Sequence, residues 1–217
     1  MKVSVSIMAH PDRAEMVDQL RERLEQPARV AFDLEGPPTR HPDRIWRTAR
    51  RAWERFEDDA DWHLLLQDDA VIADHLMEML PAALSRVPQR SIVSLYVGGG
   101  RPLSSMWEKT TAEANQVGAS WIVGPRALWG VALALPVPLI GDMLAYCDRQ
   151  HGATDDMRVG RWGQRSKLET WFTWPCLVDH PDGGSLVGHG GGRTARSFQA
   201  DARGSDWSGP VVRWKRA

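Results

Sequence analysis

Two adjacent carboxylates, Asp68 and Asp69, interrupt the apolar run Leu64-Leu65-Leu66-Gln67-Asp68-Asp69-Ala70-Val71-Ile72. Burying an unpaired carboxylate costs on the order of several kcal/mol, so these groups require a cation, hydrogen-bond donors or water. Side chains alternate along a strand, so both acids serve one site only if the strand ends here and the chain turns. A cleft beyond the carboxyl end of a strand is where open α/β sheets bind ligands. Acid oxygens suit a hard divalent cation, which neutralises a phosphate-bearing leaving group. A second pair, Asp155-Asp156, follows Thr154 at what reads as a helix start. Adjacent helical residues point about 100° apart, so one acid can face a substrate while its neighbour caps the helix. By itself the pair equally suits the electrostatics of a helix N-terminus.

Three further segments carry candidate ligands. Met8-Ala9-His10-Pro11-Asp12-Arg13 ends an apolar stretch in a turn, where backbone donors and Arg13 can meet an anion. Cys176-Leu177-Val178-Asp179-His180 is strand-like and ends in histidine, with His189 in Val187-Gly188-His189-Gly190-Gly191-Gly192 as its rival. That glycine run fits neither a Walker nor a dinucleotide fingerprint. It reads either as a flap over a diphosphate, with Arg193 and Arg196 available for phosphate, or as a plain connection. Cys147 and Cys176 form no disulfide framework and have no metal-ligand spacing, so both are expected as reduced thiols.

The elements that must position these groups follow from periodicity. Strands are expected at 3–8, 30–34, 62–67, 92–97, 121–123, 128–135 and 174–178. Helices are expected at 12–25, 43–56, 74–87, 136–149 and 154–162. Met16, Leu20 and Leu24 form one apolar stripe; Ile45, Trp46, Ala49, Trp53 and Phe56 form another. Asp12 and Asp74 are expected to cap helices, and 98–118 reads as a mobile loop. The opening strand–helix–strand predicts a parallel βαβ unit, and the alternation as a whole predicts a single α/β domain over 1–198. An irregular tail is expected over 199–217.

The chain has 217 residues, 27 Lys and Arg against 28 Asp and Glu, and a formal net charge of −1. With 42% hydrophobic and 25% charged residues it reads as globular, which excludes disordered, collagenous and coiled-coil classes. Near-neutrality argues against a histone-like partner. The longest apolar region, 128–146, is broken by Gly130, Pro136, Pro138 and Asp142, so no membrane span is expected. The expected location is cytoplasmic.

Leu-Leu-Leu-Gln-Asp-Asp-Ala at 64–70 resembles the acidic motif of nucleotide-sugar glycosyltransferases with the GT-A fold, and similar text occurs in small bacterial and bacteriophage enzymes related to the lipopolysaccharide-modifying family. Other segments resemble that family in the same order: 8–13 its first strand and nucleotide-contacting turn, Phe32-Asp33-Leu34 its second strand with a nucleoside-facing acid, Trp129-Gly130 its glycine turn, and Thr154-Asp155-Asp156 its acidic helix start. The resemblance implies a GT-A (Rossmann-like) fold, a mostly parallel mixed sheet flanked by helices. It implies Asp69 and His180 as ligands of Mn²⁺ or Mg²⁺, and His10, Arg13, Asp33, Asp68 and Arg193 as contacts to the nucleotide-diphosphate sugar. It gives the base as Asp156 first and Asp155 second. The family's Asp-x-Asp text is absent because residue 67 is Gln.

The expected activity is transfer of a sugar to an acceptor hydroxyl. That acceptor is a saccharide, a small molecule or a 5-hydroxymethylpyrimidine in bacteriophage DNA. Arginines at 44–55 and 158–165, with Trp207, Trp214, Lys215 and Arg216 in the tail, are the features that would track a phosphate backbone. Two other classes remain open at this point. A metal-dependent phosphoesterase would use His10, Asp12, Asp68, Asp69 and His180, and a nucleic-acid-binding module would need the basic and aromatic residues but not the acids.

Overall fold

The computed structural model describes residues 1–99, 104–180 and 193–214, with the side chains of 104–106 outside that description. Strand β1 (Val3–Ala9) leads through a 3-10 turn at Pro11–Arg13 into α1 (Ala14–Leu24) and then β2 (Arg29–Phe32), which runs parallel to β1 with Ala9 opposite Phe32. The expected βαβ unit is therefore present. Asp12 does not cap α1: the tight turn that opens at Pro11 places Arg13 at the cap position, and Asp12 instead gives its N–H to the His10 ring. Val17, rather than the half-exposed Met16, joins Leu20 and Leu24 in the core.

The chain continues through α2 (Pro42–Trp53), β3 (Trp62–Gln67), β4 (Val71–Ile72), α3 (Leu76–Leu84), β5 (Ser91–Ser94), α4 (Ser104–Val117), β6 (Trp121–Gly124), β7 (Ala132–Pro136), α5 (Val137–Cys147), α6 (Asp155–Arg165), β8 (Glu169–Thr173), β9 (Val178–Asp179) and β10 (Val211–Arg213). Eight strands form one mixed sheet in the order β10-β6-β8-β5-β7-β3-β1-β2, and β4 pairs with β9 in a separate two-stranded ladder. Both faces of the main sheet are covered. Val3, Val5, Ile7, Leu64 and Leu66 pack with α1 and α3, whereas Leu65, Ala31, Leu133 and Leu135 pack with α2, α5 and α6. This is the period-two alternation of strands buried on both sides.

Between β1 and β3 the alternation also buries a polar stripe. His63 is fully buried, with Ser4 Oγ 2.9 Å from Nδ1 and Ser6 Oγ 2.9 Å from Nε2. Burial pushes its pKa down to about 4.

Three further expectations are corrected. Region 98–118 contains a helix, α4, whose buried face is Trp107, Thr110, Thr111 and Ala114. Their i, i+3, i+4, i+7 spacing is helical, but two of the four are threonines and hide the apolar stripe. Asp74 does not cap α3; it bridges to Asp201, and its carboxylate accepts from Arg23. The described part of the expected tail, 199–214, is not irregular throughout. It supplies β10, parallel to β6 at the sheet edge, and buries Trp207. Among the described residues, no helix is long and apolar enough to cross a membrane.

Candidate functional site

Strands β1 and β3 are parallel neighbours, with Met8 opposite Gln67, so their carboxyl ends deliver His10 and Asp68 to the same edge. The His10 N–H donates to Asp68 Oδ2 at 2.8 Å. The 3-10 turn after His10 then swings Arg13 back over the acids. Its Nη1 donates to Asp68 Oδ1 at 2.9 Å and also to Asp69 Oδ2. Both carboxylates are more than nine-tenths buried. Burial raises the pKa of Asp68, partly opposed by the His10 N–H and Arg13.

His180 reaches this site through the small ladder. The antiparallel register Val71↔Asp179 and Ile72↔Val178, extended by one pair, sets His180 beside Ala70 and next to Asp69. His180 Nε2 lies 3.1 Å from Asp69 Oδ2, and His180 is itself buried. For Asp69, burial alone would raise the pKa. The attraction of His180 and then of Arg13 outweighs it, holding the group at about 2. Asp69 Oδ1 is buried and has no hydrogen-bond partner among the described residues.

These donors fit a divalent cation. One carboxylate and one imidazole are typical ligand chemistry, and two donors of one octahedral ion stand about 3 Å apart, close to the observed separation. The orphaned Oδ1 supplies an open acceptor. Among the described residues no cluster of three or more His, Cys, Asp or Glu is arranged to hold a metal.

The second acid pair lies across the glycine turn. The Gln67 N–H donates to Val131 O at 2.9 Å, which sets Gly130 beside the end of β3. A Cβ on Gly130 would come within 2.8 Å of Asp155 Oδ2 and 3.3 Å of Gln67 Nε2, so Asp155 points toward the residue that precedes the acid pair. Burial, followed by the charge of Asp156, pushes the Asp155 carboxyl up to about 7. Asp156 instead folds back on the start of α6, accepting from Thr154 Oγ1 and from the Met157 N–H at 2.8 Å. Of the two acids, Asp155 is thus the one turned toward Gly130 and Gln67, and Asp156 the one spent on the helix start. Arg158 fixes this helix. Almost fully buried, it donates to Ala153 O at 2.7 Å and Cys147 O at 3.0 Å, pairs with Asp43 of α2, and stacks over the Trp46 ring at 5.3 Å.

Asp33 directly follows β2, and its N–H donates to the carbonyl of Ala9, the residue before His10. Its carboxylate is held by Arg44, with Nε 2.9 Å from Oδ2. His10 Nε2, 3.1 Å away, and Arg44 share the Gly36 carbonyl. The backbone of Arg193 is anchored by its carbonyl to Tyr96 Oη, two residues before Ala195, whose N–H reaches Asp179 Oδ1. Arg196 donates to Gly98 O at 3.3 Å. His189 and the glycine run lie outside the described residues, as do Lys215 and Arg216. Sequence reasoning placed Arg13 near phosphate but missed its bond to both acids, and it missed the pairing of Arg44 with Asp33 and of Arg158 with Asp43. Charge compensation was the available signal: Asp33, Asp43 and the Asp68-Asp69 pair each needed a cation among the chain's many arginines.

No protein-family model matches the chain, and no curated protein matches it in sequence. Among solved structures, the chain is similar to a glycosyltransferase involved in glycosylation of the major capsid of PBCV-1, at 12% identity over 84% of this chain and 95% of that one, with a TM-score of 0.41. It is similar to a mutant of Drosophila β-1,4-galactosyltransferase 7 in complex with manganese, UDP-Gal and xylobiose, at 11% identity over 94% of this chain and 74% of that one, TM-score 0.41. It is also similar to mouse xyloside xylosyltransferase 1 in its apo form, at 13% identity over 78% and 70%, TM-score 0.37. At these values the likenesses carry no argument about the site, whose chemistry rests on the geometry above.

Proposed function

We propose that the chain is a glycosyltransferase that moves a sugar from a nucleotide-diphosphate donor to an acceptor hydroxyl. The supporting observation is the meeting of Arg13, Asp68, Asp69 and His180 at the carboxyl ends of β1 and β3, with Asp155 facing Gln67 across Gly130. Arg13 binds diphosphate oxygens, and Asp68, braced by the His10 N–H, serves the ribose. Asp33 and Arg44 border the nucleoside side, and Arg193 is assigned to the phosphates. A divalent cation, Mn²⁺ or Mg²⁺, held by Asp69 and His180 would offset the charge of the departing diphosphate. Asp155 takes the acceptor proton as the sugar–oxygen bond breaks. A carboxyl raised to about 7 is well matched to proton transfer near neutral pH.

For the acceptor, a saccharide or small-molecule hydroxyl is favoured over modified DNA. Several described residues of the basic and aromatic clusters and of the C-terminal strand have partners within the chain. Arg44 pairs with Asp33, Arg47 with Glu35, Arg50 with Asp148 and Glu54, and Arg213 with Glu169. Trp207 is buried against Trp121, and Trp214 packs on Trp107.

The test is thermal stabilisation by nucleotide diphosphates and nucleotide sugars, with and without Mn²⁺, on the wild-type chain and on Asp69→Asn. A ligand at about 100 times its dissociation constant stabilises by about 2.7 kcal/mol, an easily read shift. Stabilisation by one nucleotide class, dependent on Mn²⁺ and lost in Asp69→Asn, is expected. No response to any nucleotide overturns the reading.

A further inference from the structure

We infer that Arg13 is the resident counter-ion of the acid pair and competes with the divalent cation for Asp69, so that cation and donor diphosphate bind together and neither binds well alone. The inference rests on the glycosyltransferase reading for the identity of the anion, but the competition itself follows from the geometry. A single guanidinium nitrogen, Nη1, bonds both Asp68 Oδ1 and Asp69 Oδ2. Asp68 Oδ2 is already taken by the His10 N–H. The only acceptor of the two carboxylates without a hydrogen bond among the described residues is Asp69 Oδ1, on a side chain only 9% exposed. A cation joining Asp69 and His180 must therefore settle beside a guanidinium on the same carboxylate, where like charges repel strongly in a water-poor setting.

A diphosphate resolves this conflict. Its oxygens accept from Arg13, drawing the guanidinium off Asp69, and coordinate the cation at the same time. Each ligand thereby removes the obstacle to the other, and by linkage the gain is reciprocal. Without the diphosphate, Arg13 offsets one of the two buried charges, which lowers the cost of holding two adjacent acids away from water.

Mn²⁺ binding, read from the loss of the free-ion electron paramagnetic resonance signal, tests this without any turnover. Wild-type protein with Mn²⁺ alone is expected to bind weakly. Arg13→Gln is expected to bind Mn²⁺ alone at least about tenfold more tightly, Arg13→Lys to stay close to wild type, and Arg13→Gln/Asp69→Asn to lose the gain. Tight binding of Mn²⁺ alone by the wild type, an unchanged affinity in Arg13→Gln, or a gain that survives Asp69→Asn each overturns the inference. If Arg13→Gln unfolds in chelator, recovery of its circular dichroism by Mn²⁺ supports the inference and failure to recover overturns it. A parallel titration with UDP, GDP, ADP, CDP and dTDP separates the two claims. Absence of any nucleotide effect in a chain whose Arg13→Gln variant gains Mn²⁺ affinity overturns the donor reading and leaves the competition standing.

Discussion

Asp155→Asn is expected to make the protein inactive and more stable at once, with the stability gain growing as pH rises. Burial of Asp155, followed by the charge of Asp156, lifts its carboxyl from an ordinary 3.8 to about 7. Between those values the folded chain retains a proton that the unfolded chain has released. Folding is therefore unpenalised below the ordinary value and increasingly penalised as pH climbs through the folded one. A shift of roughly three units at about 1.4 kcal/mol per unit amounts to a penalty of about 4 kcal/mol near pH 8 and less than about 1 kcal/mol near pH 4. Asparagine has nearly the same shape, keeps an oxygen acceptor for the first turn of α6, and carries no charge. Urea unfolding of both proteins near the two pH values measures the difference. A gain of a few kcal/mol at the higher pH that shrinks at the lower is the expected result, together with a loss of transfer of about 10²–10⁴-fold. A gain that is absent or independent of pH would refute the raised carboxyl, and undiminished transfer would remove Asp155 as the base.

His63 acts in the opposite direction on the pH axis. Its pKa is depressed to about 4, so its contribution to stability is complete above 6.5 and is lost as pH falls; about 2 kcal/mol should be gone near pH 5, and His63→Gln should flatten that slope in thermal melts. Gly130→Ala places a methyl group against Asp155 Oδ2 and Gln67 Nε2, both ends of movable side chains. Stability should therefore change by less than about 1 kcal/mol while kcat drops at least about tenfold, and equal kcat would show that the Asp155 position is not critical. Ending the chain after Phe198 removes β10 and buried Trp207. Loss of that tryptophan alone is worth about 3–5 kcal/mol, so circular dichroism should show a chain that no longer melts cooperatively.

The βαβ opening, β3 and the main helices were legible because their apolar residues recur at strand or helix periods. The acid pair was legible for a related reason: carboxylates inside Leu64–Leu66 and Ala70–Ile72 are incompatible with an ordinary core. What remained hidden depended on partners distant in sequence. Arg13 and Asp69 are 56 residues apart, and nothing local distinguishes Arg13 from the other arginines. Helix α4 was masked by the threonines on its buried face. Strand β10 was masked by the Gly and Pro around it, although Val211 and Val212 suit a sheet edge. The choice between Asp155 and Asp156 needed the position of Gly130, which periodicity does not supply.

The β4–β9 ladder has a consequence for how this site can change over generations. His180 owes its place beside Asp69 to a pairing only two residues long. Successive strand residues face opposite ways, so a one-residue insertion or deletion in either segment would turn the imidazole from the carboxylate to the other side of the ladder. Point substitutions at Val71, Ile72 or Val178 keep the count and hence the facing. Descendants of this chain should therefore exchange one core-filling residue for another at Ile72 and Val178, which are fully buried, while keeping both strand lengths fixed, and length variation should collect in loops that do not set the register of His180.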